Sequence, residues 1–211
     1  MRKIICTFFL LIISIAVNAQ DAIPGQTIYS SNFNIDNIPR NCVFYIPLGY
    51  GKHEAYPLVI MLHDKGSSAK NVIKTYGVPL HANADSASAI IIYPDAVAGH
   101  WNDGTANDTV NDVGYLSILA DYFIQRYQCD PDQVYITGFG NGAAMAYKFA
   151  CDLPGKAAAV ASFFNAGNGG LCNNISVPVL PSTVVSLSAN GKLTNATIGY
   201  MWKFFMQHKK K

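Results

Sequence analysis

The stretch Val134 to Met145, V-Y-I-T-G-F-G-N-G-A-A-M, constrains this chain more than any other. Residues suited to a strand run into three glycines at alternate positions, and helix-forming residues follow. So sharp a passage from strand to helix calls for backbone without side chains, which predicts a strand with a helix folded back onto its sheet. The outline is G-x-S-x-G, a turn that holds a serine hydroxyl above a parallel sheet. The central residue here is Gly140, which has no side-chain atom to attack a carbonyl.

Around this turn the chain alternates strand-like and helix-like segments. Cys42–Ile46, Leu58–Leu62, Ala89–Tyr93, Val134–Thr137 and Ala157–Phe163 read as short buried strands, and Val177–Ser188 as one more. Ser68–Ser86 suits a helix that Gly77 and Pro79 must break. Asp112–Tyr127 repeats apolar residues at helical spacing with Asp112 near its N-cap, Asn141–Cys151 is the helix leaving the turn, and Thr194–His208 is a final helix. Such alternation predicts an α/β fold, a mainly parallel sheet with helices on both faces. No repeat or linker divides residues 20–211, which read as a single domain.

The first residues are Met1-Arg2-Lys3, an apolar run from Ile4 to Val17, and Val17-Asn18-Ala19-Gln20. A charged start, a short apolar centre and a small-residue end predict a signal peptide over residues 1–19, hence a secreted or periplasmic protein. The run is shorter than the roughly 20 apolar residues of a membrane span, which disfavours an uncleaved anchor. Removing Arg2 and Lys3 brings the 15 basic residues level with the 13 acidic ones, and the only basic run is Lys209-Lys210-Lys211 at the end. Nothing in this charge pattern favours nucleic acid. Cys42, Cys129, Cys151 and Cys172 allow up to two disulfides in an exported chain, with Cys151 to Cys172 the preferred pair and buried free thiols the alternative.

Several ordered motifs carry a resemblance: Tyr45-Ile46-Pro47-Leu48-Gly49-Tyr50, Tyr56-Pro57-Leu58-Val59-Ile60-Met61-Leu62-His63, Tyr93-Pro94-Asp95, Trp101-Asn102, Asn111 to Leu116, and Thr137 to Tyr147. Together they resemble secreted polyhydroxybutyrate depolymerase-like and feruloyl or acetylxylan esterase-like α/β-hydrolases from about Phe44 to Leu180. The resemblance implies an α/β-hydrolase fold, here shortened at its C-terminus, and carboxylic ester hydrolysis with no cofactor. The family's nucleophile position falls on Gly140, and its oxyanion loop on His63-Asp64-Lys65-Gly66-Ser67. Asp64 would set a carboxylate against the negative charge that acyl transfer develops there.

In this fold the triad follows the order Ser, then Asp or Glu, then His. Asp152 is the last acidic residue, and His208, among terminal lysines, is the only histidine after it. Nucleophile, acid and base are therefore all expected to be missing, which makes the chain a pseudoenzyme; an active esterase and a truncated gene product are the rival readings. A serine at Gly140 is expected to fit sterically yet restore no more than trace activity, for want of a base.

Binding can outlast chemistry, so the cleft residues form a candidate ligand site for an ester or polysaccharide. His63 shapes the oxyanion turn, with a structural hydrogen bond favoured over proton transfer. Asp95 sits at the C-terminal edge of the sheet, where α/β ligand sites form. Trp101 borders the cleft of the resembling esterases and could stack on a sugar or phenolic ring. The N–H groups of Asn141 and Gly142 open a helix and could receive a carboxylate or an ester carbonyl. The cluster His100-Trp101-Asn102-Asp103 with Asp108 and Asp112 has no metal-ligand spacing and reads as Asx-turns, so no metal is expected.

Overall fold

The computed structural model describes residues 22–105, 109–164, 175–180 and 192–210. Residues 1–19, Cys172 and most of the expected strand Val177–Ser188 lie outside the described residues. A hairpin opens the structure, β1 (Thr27–Ile35) and β2 (Ile38–Tyr45), followed by β3 (Tyr56–Leu62), α1 (Ala69–Ala87) and β4 (Ile90–Pro94). Then come α2 (Asp112–Tyr127), β5 (Cys129–Phe139), α3 (Asn141–Asp152), β6 (Ala159–Phe163), β7 (Val179–Leu180) and α4 (Asn195–Met206).

The strands form one sheet in the order β1-β2-β4-β3-β5-β6-β7, with β1 and β2 antiparallel and β4 through β7 parallel. The runs Ala89–Tyr93, Leu58–Leu62, Val134–Thr137 and Ala157–Phe163 thus stand side by side. Alternation sorts the side chains of β3 although the whole strand is buried. Leu58, Ile60 and Leu62 join Tyr115, Leu119, Phe123, Met145 and Phe149 beneath α2 and α3. Val59 and Met61 face the other way, into a core with Val72, Leu80, Met201, Trp202 and Phe205 of α1 and α4. Helices thus cover both faces, and the C-terminal ends of β3, β4 and β5 remain free to carry a site.

Two helix readings need correction. The first helix is not broken at Gly77 or Pro79 but runs unbroken from Ala69 to Ala87, with Pro79 inside it. Pro79 cannot donate to the carbonyl of Thr75, and Thr75 is exposed, so water can take that acceptor. Gly77 is buried, its missing side chain leaving Ile73 Cγ2 just 3.2 Å from where a Cβ would stand. Asn111, not Asp112, caps α2, accepting the Gly114 N–H at 2.9 Å. Asp112 turns inward instead, accepting from Arg40 at 2.5 Å and from the Asn102 N–H at 2.7 Å.

His81 on α1 lies flat on Tyr45 with ring centroids 3.9 Å apart, and Tyr45 donates to Asp85 Oδ1 at 2.9 Å. Burial pushes the His81 pKa down, with Asp85 opposing part of the shift. The unfolded chain, near the ordinary value of about 6.5, then holds the proton more tightly than the folded one. Stability is accordingly lost as the pH falls from above that value through the folded pKa. The urea midpoint should drop between pH 7.5 and pH 5, and drop less in His81→Phe. Equal drops in the two proteins would remove His81 as a cause.

Candidate functional site

The turn after β5 keeps the shape of an elbow. Gly140 has φ 48° and ψ −113°, and its N–H donates to the Phe163 carbonyl at 2.9 Å. Its glycine neighbours are demanded by close backbone: a Cβ on Gly138 would meet Gly142 O at 2.6 Å, and one on Gly142 would meet Leu62 O at 2.8 Å. The sharp strand-to-helix crossing is therefore kept, with a glycine at its centre. Across from it stands the loop between β3 and α1. A Cβ built on Gly140 would fall on the Asp64 carboxylate, with Oδ2 at 2.6 Å and the other atoms closer still. A serine therefore fits here only if the Asp64 carboxylate moves aside, a condition the sequence did not show.

Asp64 is anchored there. Its Oδ1 accepts the N–H of Asn141 at 2.9 Å and the N–H of Lys65 at 2.7 Å. The first belongs to the residue after Gly140 and the second to the β3–α1 loop, the two places from which a G-x-S-x-G turn draws its oxyanion donors. One carboxylate oxygen of the chain itself occupies the point on which they converge. Repulsion of an oxyanion by Asp64 was expected; occupation of the site was not. For the same reason the Asn141 N–H is not open to a foreign carboxylate or ester carbonyl.

The remaining expected site residues separate into distinct roles. His63 is 1% exposed, with Nδ1 at 2.8 Å from the Asp64 carbonyl and Nε2 accepting the Ala96 N–H at 3.0 Å. A carbonyl only accepts and a backbone N–H only donates, which assigns the proton to Nδ1 and makes His63 a neutral structural ring. The 3.9 Å approach of Asp95 Oδ1 to Nε2 is consequently not an ion pair. Trp101 is fully buried, donating through Nε1 to the His63 carbonyl at 2.9 Å. It cannot stack on a ligand, and that expectation is corrected: the indole is a wedge under the elbow. The Asn141 side chain holds the Trp101 backbone from both sides, at 2.8 and 3.1 Å, and donates to Asp103 at 2.6 Å.

Asp103 makes an Asx-turn with Thr105, as the sequence of its cluster suggests. Burial pushes its pKa up, but hydrogen bonds from Thr105 and Asn141 outweigh this and hold the carboxyl below its ordinary value. Asp95 accepts the Ala69 N–H at 2.7 Å and lines a different pocket, of about 290 Å3, with Tyr29, Asn41, Cys42 and Lys70. His208 lies at the opposite edge of the sheet, where its carbonyl accepts from Tyr135. Cys42 and Cys129 are buried free thiols, whose pKa values burial pushes far up. The Cys151 to Cys172 pairing falls on a residue outside the described ones.

Beside the elbow opens a pocket of about 210 Å3 that includes Asp64, Asn71, Tyr76, Phe139 and Phe164. Its rings form a row, Tyr76 on Phe139 at 5.1 Å and Phe139 on Phe164 at 6.0 Å between centroids. Phe139 is the variable residue inside G-x-G, and its place beside the turn was the signal available in the sequence. Among the described residues no group of three or more His, Cys, Asp and Glu gathers as a metal site would.

No family model matches the chain. Feruloyl esterase D of Neurospora crassa is 28% identical over 148 residues, covering 65% of this chain and 48% of the relative. Acetylxylan esterase A of Emericella nidulans is 26% identical over 152 residues, 69% of this chain and 49% of the relative. The chain spans about half the length of these two relatives. An acetyl xylan esterase structure from Aspergillus awamori superposes with a TM-score of 0.57 at 18% identity, over 71% of this chain and 56% of that one.

Proposed function

We propose that this chain, which has the α/β-hydrolase fold and has feruloyl and acetylxylan esterases as homologues, is an exported protein that binds an ester- or glycan-type ligand without hydrolysing it. The observation that carries the reading is the Asp64 carboxylate, seated on both candidate oxyanion donors opposite Gly140. Acyl transfer needs a nucleophile, a base to activate it and donors aimed at the developing oxyanion. Gly140 supplies no nucleophile, His63 spends both ring nitrogens on backbone, and the donors are already satisfied. The pocket beside the elbow offers the remaining space for a ligand, and the segment 1–19 supports export.

Purified protein should turn over neither 4-nitrophenyl acetate nor methyl ferulate above the rate in buffer. Turnover that a serine-directed fluorophosphonate abolishes would overturn the proposal, since it would require a nucleophile and a base other than the groups around Gly140.

A further inference from the structure

We infer that the pocket beside the elbow selects its ligand by positive charge, taking an organic cation with an apolar body. This rests on the reading of that pocket as a ligand site and specifies, within the ester-type class, a ligand whose apolar body carries an ammonium group. Asp64 and the rings of Tyr76, Phe139 and Phe164 line the same space, with Ser67 and Asn71 at its polar side. The two groups that hold Asp64 are neutral backbone N–H donors, which orient the carboxylate without cancelling its charge. Among the described residues no Lys, Arg or His side chain forms an ion pair with it.

A negative charge beside apolar ring surface attracts a cation that also carries an apolar body, through Coulomb attraction to the carboxylate and burial of that body together. An anion meets the same carboxylate as repulsion, and the donors that would have received it are occupied. The charge preference of the place is thus the reverse of an open oxyanion site. A bare metal ion does not suit it either, because one carboxylate against apolar walls cannot replace a hydration shell. A quaternary or alkylated ammonium needs no such shell, and it fits both the walls and a volume of about 210 Å3.

Calorimetric titration at low salt with choline, its uncharged isostere 3,3-dimethylbutan-1-ol and the anion 3,3-dimethylbutanoate tests the inference. Choline should bind roughly tenfold tighter than the alcohol, and the anion more weakly than either. Asp64→Asn keeps an oxygen for both N–H groups and should bring choline to the level of the alcohol, whereas Phe164→Ala should weaken both. Equal binding of choline and the alcohol, or choline binding unchanged in Asp64→Asn, would overturn the charge selection and leave the pocket standing. Failure of the intact protein to bind either one would overturn both. Ester turnover by the same preparation would instead strike the non-hydrolytic reading alone.

Discussion

Gly140→Ser will lower stability by about 2–4 kcal/mol and produce no measurable esterase. A residue with a side chain held at positive φ costs on the order of 1–3 kcal/mol, and the elbow's hydrogen bond to Phe163 holds Gly140 in that conformation. The serine must also push the Asp64 carboxylate off the N–H groups of Asn141 and Lys65. Asp64 is exposed, so water recovers part of that loss. The two sites are therefore coupled, and a double-mutant cycle exposes it. In an Asp64→Gly background the serine should cost about 1 kcal/mol less, since nothing then stands in its place. Urea unfolding of the four proteins measures the coupling; additive costs would show that Asp64 swings away freely. The double variant still lacks a base in His63, whose proton and lone pair are both committed, so turnover by it would contradict the tautomer assigned here.

The elbow was legible because its demands are local. Glycine at alternate positions between a β-branched strand and an alanine-rich helix admits few backbones, and positions 138, 140 and 142 each have a steric reason to lack a side chain. The buried strands were legible through their β-branched and aliphatic composition. The hairpin β1–β2 was not foreseen over residues 27–40, because an edge strand with polar residues lacks the apolar run that marked the others. Pro79 misled because the helix rule concerns the lost hydrogen bond, while the consequence depends on whether solvent reaches the orphaned carbonyl. At the site, the order of motifs pointed to Asp64 and Gly140 as neighbours. Which side chains face a ligand depended on packing between distant elements, and so Trp101 was placed in the cleft although it lies beneath it. Phe164 enters the pocket row from beyond the end of β6, a position no periodicity marks.

Asp112→Ala is expected to cost about 3–5 kcal/mol, the largest single loss outside the hydrophobic core. Arg40 and Asp112 form an ion pair whose side chains are 2% and 0% exposed, at 2.5 Å. Neither charge reaches water, so removing the carboxylate strands a guanidinium lying 3.9 Å from the centroid of the Tyr115 ring. The pair also joins three elements: Arg40 belongs to β2, Asp112 opens α2, and Asp112 Oδ2 receives the Asn102 N–H next to Trp101. Loss of the carboxylate therefore loosens the segment that seats Trp101 under the elbow. Arg40 Nε has no partner among the described residues, so the guanidinium is incompletely satisfied even in the intact pair. Removing both charges, as Arg40→Met with Asp112→Ala, should then cost less than Asp112→Ala alone, because no buried charge is left behind. Urea denaturation of the two variants decides the matter. A loss below about 1 kcal/mol for Asp112→Ala, or a double variant less stable than that single one, would mean that water reaches Arg40 and that the pair does not clamp the hairpin to the site.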